Sequence, residues 1–460
     1  YDGKPIDVDG FARVPTGSGL SLTYAAFDGE AGLAPGQVAI LFLSGPTGEA
    51  GAFEAPCPVA SAVPDGVLLG TEFSDTTGIG RSFHITTDVP VVAYQINPYG
   101  GGSAAVTGAS LLLPTSVWDT NYVAVNAYGP GDDGFPSINI VAGEDQTHVT
   151  LLPNAPVTGG GGIPSGAARA PLTITLDRGQ HAQISQAAEL SGSIVQSDKP
   201  IGVMAGHQCM VIPTTSGGPC DHGEQMLPPI KALGSTYVGV MYSPRTTEPA
   251  IWRVIGAVSG TTLTWSTDVG GPATLARGQV VEFITATPFV VASQDKDHPF
   301  VLFEHMSSNG WDQPTYGLYK IGDADSVLGV PPDQFMNDYV FFADPTYPVT
   351  NLVVVRAKMN GAFADVDLDC AGTLGGWQPV GDYEYTRVFL NQGDFEPVGK
   401  CDTGRHEMKS QAPFGLWVWG WGGPWTLAPD GGGVSTQSVS YAYPAGMSVA
   451  PINEVVVPPR

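Results

Sequence analysis

Basic side chains are scarce: 19 Lys and Arg stand against 44 Asp and Glu in 460 residues, a formal net charge of −25. A surface field of that sign repels phosphate backbones and anionic headgroups, which argues against nucleic acid as a partner. Long apolar runs are missing too. No stretch of about 18 apolar residues occurs, so no membrane insertion is expected. Asn-x-Ser/Thr acceptor sites are absent, which removes a common feature of animal ectodomains and points to a bacterial secreted protein. Catalytic signatures are also lacking. There is no Gly-x-Ser-x-Gly elbow, His406-Glu407 meets Ser410 where a second histidine would be needed, and Gly78-Ile79-Gly80 has no third glycine. The motifs therefore support no enzyme.

Cysteines number five, Cys57, Cys209, Cys220, Cys370 and Cys401, and none forms a Cys-x-x-Cys pair. A zinc signature is thus missing, and local pairing in an oxidising compartment accounts better for the spacing. The expected bridges are Cys209–Cys220 and Cys370–Cys401. Cys57 is left over, read as a buried thiol in preference to a link outside the chain. What the chain does have is 61 Gly and 40 Pro set between apolar runs, with 42% hydrophobic and 14% charged residues. That composition describes a folded all-β protein of many short strands joined by turns. Tyr1 in place of an initiator Met suggests a removed leader or a trimmed chain, and 451–460 reads as an extended linker ending in Pro458-Pro459-Arg460.

The sequence repeats itself. A polar residue, a proline and an apolar strand recur at Pro90, Pro200, Pro299 and, in worn form, Pro413. A second marker follows the first three: Leu113-Pro114 with Asn121-Tyr122-Val123, Leu227-Pro228 with Thr236-Tyr237-Val238, and Val330-Pro331 with Asp338-Tyr339-Val340. A third precedes them, as Arg178-Gly179-Gln180 and Arg277-Gly278-Gln279. Markers in one order at a spacing of about 100 residues define a repeat unit. Period-two alternation, as in Leu172-Thr173-Ile174-Thr175-Leu176, gives each unit roughly six or seven strands, the content of a two-sheet sandwich. The expected fold is four tandem β-sandwich-like pseudo-repeats: a divergent first unit at 1–110, then 111–226, 227–328 and 329–450, with the linker at 451–460. A β-propeller is the alternative, weakened because no half-period of about 40 to 50 residues shows.

The most specific stretch runs from Asp198-Lys199-Pro200-Ile201-Gly202-Val203 through Cys209, a short loop, and Cys220-Asp221-His222-Gly223-Glu224-Gln225-Met226-Leu227-Pro228-Pro229 to Gly234-Ser235-Thr236-Tyr237-Val238. A second lies near the end, in Phe414-Gly415-Leu416-Trp417 and Ser440-Tyr441-Ala442-Tyr443-Pro444-Ala445-Gly446. Together these resemble the N-terminal domain family of the IgGFc-binding protein, over most of the chain after about Leu111. The resemblance implies an extracellular or cell-surface binding domain without a catalytic centre, and by itself names no ligand.

Three groups of residues are candidates for chemistry. Asp132 and Asp133, with Glu144 and Asp145 in the next turn, offer hard oxygen ligands that suit calcium, or are solvated acidic turns. Asp365-Val366-Asp367-Leu368-Asp369 opens like an EF-hand loop but carries Cys370 where that loop needs glycine. His207, Asp221, His222 and Glu224 surround the first expected disulfide, with Glu304-His305 in the matching place one unit on. They form a binding patch that either holds zinc or ties the loop to neighbouring backbone. Trp417, Trp419, Trp421 and Trp425 cluster near the end, and Trp419 and Trp421 are candidates for stacking on a sugar or anchoring an interface, against the alternative of core filling. The reading is a secreted or cell-surface, non-catalytic adhesion or recognition module for an extracellular protein or glycan. A structural subunit of an extracellular filament or surface layer, self-associating through open sheet edges, is the alternative. A metal-dependent hydrolase comes third, and no cofactor beyond calcium is suggested.

Overall fold

The computed structural model describes residues 1, 3–45, 57–63, 77–100, 106–131, 134–214, 219–245, 247–309, 321–423 and 438–460. Among these residues the regular structure is β-strand, interrupted only by short 3-10 turns, so the all-β expectation holds. Three successive units share one plan, two antiparallel sheets stitched by a strand that belongs to both.

In the second unit that strand is Ser193–Met210. Its first part pairs with Asp119–Ala124 and Thr147–Leu152, and beyond Pro200 it pairs with Pro136–Ala142 and Asp221–Leu227. The third unit splits it into Phe289–Ser293 and Phe300–Met306, on either side of Pro299, paired with Thr236–Gly239 and Thr261–Trp265 in one sheet and with Ala250–Gly256 and Asp325–Leu328 in the other. In the fourth, Gly404–Trp421 pairs with Met336–Ala343 and Val366–Leu368 up to Ser410. From Phe414 it pairs with Val349–Arg356, and further on with Ser440–Pro444. Proline lacks the N–H that a ladder needs, so the repeated proline stands where the strand leaves one sheet for the other.

The repeated tyrosine is explained by the same crossing. The hydroxyl of Tyr122 accepts from the Asp119 N–H at 3.0 Å and donates to the Ile201 carbonyl at 2.7 Å. Tyr237 repeats this with Gly234 and Phe300 (3.1 and 2.7 Å), and Tyr339 with Met336 and Phe414 (3.1 and 2.5 Å). In each unit the acceptor is the residue directly after the crossing proline, so two markers 79, 63 and 75 residues apart in the three units are the two ends of one hydrogen bond. The Gly-Gln marker is a turn: Gly179 and Gly278 sit at φ 78° and 71°, where a side chain is disfavoured. Gln180 and Gln279 cap those turns by accepting from Asp177 and Ala276 N–H at 2.8 and 2.9 Å.

The last strand of each unit faces the middle of the molecule. These inner strands are Gly108–Leu111, paired with Tyr94–Asn97, then Asp221–Leu227, Asp325–Leu328 and Ser440–Pro444. Each packs on the next, and the fourth packs back on the first, so the four units close into a ring. The ring is made of units with two sheets where complete, unlike the single-sheet blades of a propeller. Of the first unit, the described residues contribute the hairpin at 94–111, a three-stranded sheet of Ala12–Thr16, Thr23–Ala26 and Ile40–Leu41, and Gly78–Arg81, which extends a sheet of the second unit. Residues 451–460 form no strand and lie across the second and third units. Asn453 Nδ2 donates to the Ile230 and Leu233 carbonyls (2.8 and 2.9 Å), while Asn121 and Val457 exchange a pair of bonds at 2.8 and 2.7 Å.

A Tyr237→Phe substitution keeps the ring and removes the bridge, leaving the Gly234 N–H and Phe300 carbonyl without it at a buried crossing. The expected loss is about 1–3 kcal/mol of unfolding free energy, read from urea midpoints at unchanged m-value. An unchanged midpoint would mean that the hydroxyl plays no part in holding the crossing.

Candidate functional site

Where the inner strands meet, polar side chains replace apolar ones. Asp221, fully buried at the start of its strand, accepts on Oδ1 from Thr107 N at 2.5 Å and on Oδ2 from Ser440 N at 2.9 Å. One carboxyl of the second unit thereby holds backbone of the first and the fourth. Ser440 Oγ lies 3.0 Å from the carbonyl of Asp323, which brings in the third. Four residues along the strand, Gln225 Nε2 donates to the carbonyls of Ala109 and Ala442 at 2.8 and 3.0 Å, repeating the clasp between the same three units.

This hub is acidic. Burial, reinforced by the neighbouring Asp323, pushes the Asp221 carboxyl well above the usual carboxylate range, and burial does the same to Asp325. Among the described residues, Asp323 Oδ2, Asp325 Oδ2 and Glu224 Oε1 are buried without a hydrogen-bond partner. For Asp323 and Asp325, burial of this kind disfavours the carboxylate. Sequence reasoning missed Asp323, Asp325, Thr107 and Ser440. The signal for them is that the inner strands begin with or just after polar residues, and for Ser440 also its place at the head of the Ser-Tyr-x-Tyr motif.

The patch around the first disulfide spans the strand Asp221–Leu227 and its partner Ser193–Met210, which carries His207 and Cys209. Cys209 and Cys220 are bonded with Cα atoms 5.0 Å apart, and Cys370 and Cys401 are likewise bonded. His207 is 1% exposed, and both its ring nitrogens are engaged: Nε2 faces the Gly129 carbonyl and Nδ1 accepts from Cys209 N, each at 3.1 Å. Burial pulls its pKa down to about 4, so the ring is neutral at pH 7. His222 Nε2 lies 3.6 Å from Glu224 Oε2, which also accepts from Gln95 Nε2 at 2.6 Å. The structure thus brings His222 and Glu224 together but turns His207 to backbone and Asp221 to the hub. Among the described residues no three of these four bring their ligand atoms together, because His207 faces backbone and Asp221 faces the hub. The equivalent pair in the next unit is buried as well: Glu304 accepts from Tyr242 N at 2.9 Å, and His305 Nδ1 meets Ser326 Oγ. A cavity of about 10 Å³ beside Glu304, lined also by Trp252, Leu302 and Trp417, has room for one water-sized guest and no substrate.

Other expectations need correction. Trp419 and Trp421 are 0% and 2% exposed and pack on Tyr242 at ring-centroid distances of 5.0 and 6.1 Å, so they fill core and present no stacking face. Their strand lies in the middle of its sheet, covered by the third unit, so even the alternating face is interior. Cys57 is half-buried, its Sγ 4.0 Å from the Ser44 carbonyl, so it is less enclosed than expected. Asp145 is exposed in a turn where its Oδ1 accepts from Arg178 N at 3.1 Å. Asp132, Asp133 and Trp425 lie outside the described residues. Among those residues, one group of three metal-competent side chains has its ligand atoms within 4.8 Å of one another, Asp369, Cys370 and His406, far from the hub in sequence.

The buried Glu304 gives a pH test. Burial raises its pKa to about 8, so the folded chain holds a proton that the unfolded chain releases near pH 4. Its stabilising contribution is complete below about pH 4 and is lost as pH rises through about 8. Glu304→Gln keeps an acceptor for Tyr242 N and cannot ionise. Relative to this variant, the natural chain is expected to lose urea resistance between pH 5 and 9, and parallel pH profiles would refute a buried neutral Glu304.

Residues 108–420 match the family described as IgGFc binding protein, from the first inner strand into the last long strand. The chain is 30% identical over 299 residues to the "IgGFc-binding protein" of Homo sapiens, an alignment that covers 64% of this chain and 5% of that much longer relative. No solved structure matches the chain. No helix among the described residues is long and apolar enough to cross a membrane. The family match spans the second and third units and the fourth as far as residue 420, with their crossing prolines and the cysteine loop that carries the hub aspartate, and on that ground the chain belongs to the IgGFc-binding protein family.

Proposed function

We propose that this chain is a secreted or cell-surface recognition module that binds an extracellular protein, with a glycan as the other ligand class, and turns nothing over. The observation that carries this reading is the family match over 108–420, whose human relative is named for binding immunoglobulin Fc. The site chemistry supports it: His207, Asp221 and Glu304 engage backbone and Glu224 engages the side chain of Gln95, which builds a rigid frame and leaves loops at the ends of the sandwiches to make contacts. Two disulfides suit an oxidising compartment. A net charge of −25 favours ligands with basic patches and makes association salt-dependent.

The test is binding of the soluble chain to immobilised human Fc, a glycoprotein panel and a glycan array at 50 and 300 mM salt. Saturable binding to at least one ligand, weaker at the higher salt, is expected. No saturable ligand across the panel would sink the recognition reading.

A second reading, a subunit of an extracellular filament or surface layer, draws on one feature. Ile85, Val89, Val91 and Val92 are 49%, 61%, 51% and 46% exposed along one unpaired stretch of the first unit. Such a strip can accept a neighbouring strand. Sedimentation across a hundredfold concentration range decides it: a constant monomer would remove this reading, while growing assemblies would favour it.

A further inference from the structure

The Cys370–Cys401 disulfide is surrounded by groups of a different chemistry. Asp369, which follows the strand Val366–Leu368, and His406 in Gly404–Trp421 flank the bond. The ligand-competent atoms of Asp369, Cys370 and His406 all lie within 4.8 Å of one another. Cys401 is bonded to Cys370 but stands outside that group, and becomes a fourth ligand only when the sulfur bond opens. A pair of thiolates, an imidazole and a carboxylate is a borderline-soft tetrahedral set that suits Zn²⁺ and not Ca²⁺.

The surroundings already aim these groups. His406 Nε2 lies 2.7 Å from the Asp402 carbonyl, so one nitrogen is held by backbone while Nδ1 points toward Asp369 Oδ1 at 2.9 Å. Asp369 Oδ2 accepts from Glu407 N at 2.9 Å, which leaves Oδ1 turned to the same point. Carbonyl support of a ligating imidazole and backbone support of a ligating carboxylate are the outer contacts that orient metal ligands. The frame does not rest on the sulfur bond alone. Asp369 N donates to the Glu407 carbonyl at 3.0 Å, and Val398 and Cys401 exchange backbone bonds at 3.1 and 3.0 Å. Asp369 is exposed and Cys370 half-buried, which gives an ion a path from solvent.

We propose that reduction of the Cys370–Cys401 disulfide opens a zinc site whose ligands are Cys370, Cys401, His406 and Asp369. A dithiol reductant supplies two electrons and two protons. The S–S bond breaks, two thiols form, and the reductant leaves as its own disulfide. Zinc then takes the place of the two thiol protons, which pass to the buffer, while the sulfurs separate to about 3.8 Å, as two Zn–S bonds of about 2.3 Å require. The bridge and the ion are alternatives: oxidised, the chain is stapled by sulfur; reduced, by metal.

The experiment compares the reduced full chain with a reduced Cys370→Ala/Cys401→Ala variant, which keeps Cys57, Cys209 and Cys220 as background thiols. Both are titrated with Co²⁺ and then Zn²⁺ after removal of reductant. One additional metal per chain in the natural sequence is expected, with near-ultraviolet thiolate-to-cobalt absorption. His406→Ala should weaken it at least tenfold, and zinc should raise the denaturation midpoint of the reduced natural chain only. Equal stoichiometry in the two chains overturns the site, as does equal uptake by the oxidised protein. So does a reduced chain that loses its strand circular dichroism and does not regain it with zinc.

Discussion

The buried carboxyl of Asp221 is the point on which the arrangement of units depends. One side chain receives backbone N–H groups from the first and the fourth unit, and Ser440, which caps it, also reaches the third. A chain of sandwiches joined only by linkers would leave each inner strand as an open edge with exposed backbone groups. Closing four of them on one another gives those edges partners and places the polar start of each strand at a shared centre. The cost is a cluster of acids removed from water, and burial there pushes the Asp221 and Asp325 carboxyls well above the usual carboxylate range, toward the uncharged form. The long strands that pair beside the inner strands carry much of the apolar packing, and Trp419 and Trp421 belong to that packing.

Rigidity follows from redundancy. Each complete unit is held by a strand common to both sheets, so the sheets cannot slide apart without breaking two ladders. Three tyrosine hydroxyls pin the crossing points, and two disulfides pin the loops beside them. A frame of this kind suits the display of loops to a large partner better than the enclosure of a small substrate. The Asp369–Cys370–Cys401–His406 corner belongs to the same logic, since the staple there sits among groups that could hold the chain by other means.

Much of the fold was legible because backbone chemistry repeats. Pro200, Pro299 and Pro413 mark the sheet crossings because only a residue without an N–H is suited to that gap in the ladder. Gly179 and Gly278 mark turns because the backbone there is left-handed. The pairing of Cys209 with Cys220 and of Cys370 with Cys401 was legible from local spacing. The site was far less so. His207 and His222 stand near each other in sequence, yet they lie on two paired strands, where one faces the interior and the other a carboxylate, and no local pattern separates the two. Asp369 was legible as an acid in a failed calcium loop, while its company with His406 was not, since those two meet only through strand pairing across the fourth unit.

The sequence by itself determined the all-β class, the turns at Gly179 and Gly278 and the crossings at Pro200, Pro299 and Pro413, because these follow from local rules: alternation, missing donors and permitted dihedrals. Only the tertiary structure decided that the units close in a ring, that Asp221 is its clasp, that the tryptophans are interior, and that a disulfide lies among metal-competent groups. Those outcomes depend on which surfaces meet, and the free energy of burying or pairing a side chain is set by neighbours that lie tens to hundreds of residues away along the chain.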